Sequence, residues 1–143
     1  GPPRAKRPEV FVPASFSEHL KEEISEAARL REVDGPVEVV PGVMSTGELG
    51  RTLVEQSLVV LDRGDAVVLT GCAHPGLGVI MDRVREIARP SWLIGGLHGA
   101  KAAYLPPDLD RLVLCHCTRE KAAMMDAFPG KACLGRVGDA YRP

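Results

Sequence analysis

The chain has 143 residues, a net charge of −1 and both signs of charge interspersed. That length suffices for one domain with a real core. The even charge excludes a basic nucleic-acid footprint, and no apolar run is long enough to cross a membrane. The expectation is a cytoplasmic protein with neither nucleic acid nor membrane as partner. Four cysteines, Cys72, Cys115, Cys117 and Cys133, form no Cys-x-x-Cys pair. They read as reduced thiols, small and buried. Asparagine is absent and Gln56 is the only glutamine, a depletion that hints at a thermophilic source.

Residues 1–8, opening on Gly1-Pro2, read as a disordered or tag-derived lead-in. "EVFVP" (Glu9 to Pro13) follows as a short strand. "SFSEHLKEEISEAARLREV" then carries Phe16, Leu20, Ile24, Ala27 and Ala28 at helical spacing. Ser15 and Glu18 fit a capping box, and Asp34-Gly35 closes the segment. "VEVVPGV" (Val37 to Val43) reads as a strand and "STGELG" as a polar loop. Two β-rich runs flank "DRGD", which signals a hairpin. Strand-then-helix units come next. "AVVLTGCAH" leads into "GLGVIMDRVREIAR", with Leu77, Ile80, Met81, Val84 and Ile87 on one face. "SWLIGGLH" leads into a loop with a short helix expected at "LPPDLD". "RLVLCHCT" leads into "REKAAMMDAF", and "KACLGRVG" ends the series as a strand. Repeated units of this kind predict a layered α/β fold.

Three of the four histidines occupy equivalent places. His74 follows "VVLTGCA", His98 follows "WLIGGL" and His116 follows "LVLC". Each stands at or just past the C-terminal end of an apolar strand, the edge where α/β sheets bind ligands. Three imidazoles at one edge suit a divalent metal, with zinc favoured over manganese or iron. Taken singly, each reads better as a hydrogen-bonded turn residue than as a ligand, and the shared position strengthens the ligand reading, most for His74 and His116. His19, among charged residues of the first helix, reads as a surface group. "CHC" (Cys115-His116-Cys117) looks like a metal triad. Strand alternation, however, would turn Cys115 and Cys117 away from whatever His116 faces, unless the strand has already ended. Thr118 and Gly76 precede expected helices. They read either as caps or as cradles for an anionic substrate.

"LTGCAHPG", "IGGLHGA" and "CHCT", in that order and with "VEQSLVV" before them, resemble one group of the metallo-β-lactamase superfamily. That group is the dihydropterin-condensing synthases of methanopterin biosynthesis, which carry an aminobenzene ribofuranosyl phosphate onto a dihydropterin. The resemblance implies a four-layer αββα sandwich with a metal site at one edge. It makes His74 and His116 metal ligands. His98, where the superfamily usually has Asp, would bind metal or meet substrate. Arg119 replaces the glycine of the group's "HCTG". The superfamily's His-x-His-x-Asp-His motif is missing.

From that absence the expected fold is α/β, residues 9–143 being the C-terminal half of the sandwich. The expected partners are an N-terminal half on a separate chain, or a second copy, and a small, phosphorylated, pterin-like molecule. The expected function is part of a metal-dependent hydrolase or synthase, inactive alone. The alternatives are a non-catalytic assembly module and a self-contained metal-binding homodimer.

Overall fold

The structure, a computed structural model, describes residues 7–143. Of the expected lead-in, residues 1–6 lie outside the described residues, while the Pro8 carbonyl accepts a hydrogen bond from the Arg29 amide. The chain opens with a β-α-β unit: β1 (Glu9–Pro13), α1 (Glu18–Ala27) and β2 (Arg29–Val33). β1 and β2 pair in parallel as a sheet of their own. The expected helix through Val33 therefore stops early. Ala28 is already extended at φ −134°, and "RLREV" is strand. Leu30 and Val33 fit both periods, and pairing with β1 settles which one holds. Ser17 caps α1, accepting a bond from the Leu20 amide, in place of the expected Ser15. The Ser15 amide instead donates to Glu48.

The main sheet holds seven strands in sequential order: β3 (Val37–Val40), β4 (Val43–Ser45), β5 (Leu58–Asp62), β6 (Asp65–Thr70), β7 (Arg89–Gly95), β8 (Arg111–Leu114) and β9 (Ala132–Leu134). The first four are antiparallel neighbours. From β6 to β9 every pairing is parallel. "VEVVPGV" thus forms two strands folded at Pro41-Gly42 where one strand was expected. The "DRGD" hairpin turns on Arg63 and Gly64, at φ 48° and 93°. Two successive positive φ values give the mirror-image turn that matches strand twist, which is why glycine sits there. The parallel half needs crossovers. α2 (Leu77–Arg85) links β6 to β7, and α3 (Lys121–Ala127) links β8 to β9. Between β7 and β8 there is only a single 3-10 turn, Ala102–Tyr104. It lies before "LPPDLD", where a helix was expected.

Both helices pack on one face of the sheet. Leu77, Ile80, Met81 and Val84 of α2 and Met124 of α3 bury against Val59, Val68, Leu93, Leu112 and Leu114. Each such side chain is worth roughly 1.5–3 kcal/mol of burial. Strand alternation sends Leu58, Val67, Leu69, Ile94 and Val113 to the opposite face. There, Leu69, Ile94 and Val113 line a hollow of about 510 Å³ whose other wall is the C-terminal segment through Tyr141. With one face filled by helices, the loops after β6, β7 and β8 emerge at a single edge, and that edge carries the site.

Candidate metal centre

Three loops meet at the C-terminal edge of the parallel strands, and backbone bonds tie them together. The loop after β7 is in the middle. The Gly96 amide donates to the Gly71 carbonyl at 3.0 Å, and the Cys115 amide donates to the Gly95 carbonyl at 2.8 Å. The Arg119 amide donates to the His98 carbonyl at 2.9 Å. The Thr118 hydroxyl accepts from the Leu97 amide at 3.1 Å. Thr118 is therefore buried inside this stitching, and α3 starts beyond it at Lys121 with Glu120 at the cap position. Its expected role as a helix cap does not hold.

The stitching brings Cys72, His116 and Cys117 together. Their ligand atoms all lie within 4.8 Å of one another, the one such group among the described residues. β8 ends at Leu114, so alternation no longer governs 115–117, and the chain turns instead. That turn lets Cys117 join His116 on one side while Cys115 goes to the hollow on the far face. The reading of Cys72 and Cys117 as mere small buried groups is thereby corrected. Gly96 makes the approach possible. A Cβ there would sit 2.2 Å from the Cys117 sulfur and 2.5 Å from the Gly71 carbonyl oxygen. The contact with the Cys117 thiol, with burial second and the Glu55 charge last, pushes the Cys72 thiol above its ordinary pKa. Two thiols and an imidazole at this spacing are a zinc-type donor set.

His74 and His98 stand together beside this set, outside it. Their ring centroids are 4.8 Å apart, tilted by 51°. Nδ1 of His74 is hydrogen-bonded to Oε1 of Glu55. An ionised carboxylate can only accept, so Nδ1 donates in this bond. The second oxygen of Glu55 is buried without a partner among the described residues. Sequence reading passed over Glu55 because nothing in "VEQS" signals that the β4–β5 loop folds back onto this edge. The isolated Leu49–Glu55 bridge is what holds it there. Ala73 and His98 both have positive φ, 59° and 41°. Non-glycine residues in this region concentrate where function requires a fixed backbone. A cleft of about 320 Å³ opens between Leu53, His74, Gly76, His98 and Tyr104. Gly76, at φ 98°, precedes α2 without a side-chain cap and lines that cleft.

No protein-family model and no curated protein matches the chain. Among solved structures it is similar to the crystal structure of Tm1679, a metal-dependent hydrolase of the β-lactamase superfamily. The TM-score is 0.74 at 20% identity, over 94% of this chain and 70% of that one. The likeness corrects the fold expectation. It runs through nearly all of this chain and takes in more of the other than a C-terminal half. It supports the fold without a dihydropterin-synthase subgroup, so the pterin-like substrate loses its basis.

The donor set corrects the functional expectation as well. Cys72, His116 and Cys117 come from this chain alone, so the site does not call for an N-terminal half as partner. Inactivity for want of that half no longer follows. The alternative of a self-contained metal-binding homodimer comes nearer, except that the donor set lies within one chain and not across two copies. Among the described residues no helix is long and apolar enough to cross a membrane. The chain has an α/β metallo-β-lactamase fold with a Cys₂His donor set suited to a divalent metal such as zinc.

Proposed function

We propose that residues 9–143 form a zinc-type, metal-dependent hydrolase acting on a small molecule. Cys72, His116 and Cys117 hold the metal. The observation that carries this reading is the mutual closeness of those three donors at the ligand-binding edge of the sheet. A metal bound there would supply an acidified water and polarise a substrate oxygen. The chain's own groups do the rest. Glu55 fixes the ring of His74 through Nδ1, at the cleft that His98 and Gly76 also line. Thr118 holds the loop after β7 in place through the Leu97 amide. The setting proposed is the cytoplasm, where the unbridged Cys72 and Cys117 stay available as thiolate ligands.

The test is metal content. The chain loaded with zinc and dialysed should retain an equimolar amount by mass spectrometry of the metal. Cobalt in its place should show sulfur-to-metal charge-transfer absorption. His116→Ala and Cys117→Ser should lose most of the metal, and Cys115→Ser should keep it. Retention by all three variants would sink the assignment.

A further inference from the structure

The pair of cysteines in this site has a chemistry that metal binding does not use. The Cys72 and Cys117 sulfurs lie within 4.8 Å of each other, both half-buried and neither bridged. They sit on different loops, one after β6 and one after β8, and Gly96 lies between. A Cβ at Gly96 would be 2.2 Å from the Cys117 sulfur and 3.4 Å from the Cys72 Cα. The slot that a side chain would fill is therefore taken by a thiol facing a second cysteine. Disulfides need close Cα positions and a sulfur pointing across. The backbone bonds from Gly96 to Gly71 and from Cys115 to Gly95 tie both loops to the one between them.

We infer that Cys72 and Cys117 form a reversible disulfide under peroxide, which removes two of the three metal donors and shuts the site. One sulfur attacks a peroxide oxygen, releasing water and becoming a sulfenic acid. The other attacks that sulfur and expels the hydroxyl as a second water. Overall, two thiols and one hydrogen peroxide give one disulfide and two waters. A thiol reductant returns both thiols by exchange. The effect on metal rests on the zinc reading above, whereas the bond between the two sulfurs does not.

The experiment treats the metal-free chain with hydrogen peroxide, counts free thiols and maps peptides by mass. Half of the four thiols should disappear, with a bridged peptide joining Cys72 to Cys117 and a loss of two hydrogens. The double variant Cys115→Ser, Cys133→Ser should close the same bridge. Zinc-loaded chain should react more slowly, release its zinc to a chromogenic chelator in step with thiol loss, and rebind it after reduction. Survival of all four thiols, or a bridge through Cys115 or Cys133, overturns the inference. Zinc released with both thiols intact overturns it too. Failure of the reduced chain to bind zinc counts against the metal assignment alone, because thiol count and peptide map are read without metal.

Discussion

At the scale of single residues the site depends on what is missing as much as on what is present. Gly96 has no Cβ, and the Cys117 sulfur occupies the space. Gly96→Ala should push that sulfur away from Cys72 and His116 while leaving all three donors in the chain. Zinc affinity should fall about 10- to 100-fold, the usual effect of disturbing groups that orient ligands. Competition with a chromogenic chelator measures it, and unchanged affinity would mean that the loops can spread at no cost. His74 and His116, read alike from sequence, part company here. His116 joins two thiols, whereas His74 is held by a carboxylate from a loop far away in sequence.

At the scale of elements, register and edge charges hold the sheet that presents these loops. Arg89, the first residue of β7, reaches Asp65 of β6 through two 2.8 Å bonds and Asp110 through one of 3.2 Å. The paired guanidinium keeps the Asp65 carboxyl below its ordinary range. A folded pKa below the unfolded one stabilises above the unfolded value and loses that contribution as pH falls through the folded one. Stability should therefore drop as pH goes down from about 4, the ordinary aspartate value. Arg89→Ala should flatten that part of the profile in urea denaturation. An equally steep acid limb in the variant would show that other carboxylates set it. The groups are half-exposed, so the effect is small and shrinks in salt.

For the molecule as a whole, one helix-covered sheet face supplies the core. Leu93, wholly buried in β7 at the middle of the parallel strands, belongs to it. Leu93→Ala should cost about 2–5 kcal/mol, since a cavity stays where neighbours cannot collapse. Leu58→Ala, on the opposite face at a position 39% exposed, should change stability by about 0.5 kcal/mol or less. Equilibrium urea unfolding with an unchanged slope checks both. Comparable losses at the two positions would contradict the assignment of the core to the helix-covered face.

Local pattern was enough for the strand-helix grammar from Asp65 onward. The apolar stripe of α2 matches its buried residues, and "DRGD" names its own turn because positive φ favours glycine. The same pattern placed three histidines at strand ends and pointed to a divalent metal at that edge. It was ambiguous where two periods fit one segment, as at "ARLREV", which pairing with β1 made a strand. It also misjudged the cysteines, because alternation holds only while the strand lasts, and β8 ends one residue before Cys115. The metal set of Cys72, His116 and Cys117 and the approach of Glu55 to His74 join residues 45 and 19 positions apart in the chain or span different loops. Spacing along a chain carries no distance between loops. That distance is decided when parallel strands bring their ends to one edge and backbone bonds lock the loops there.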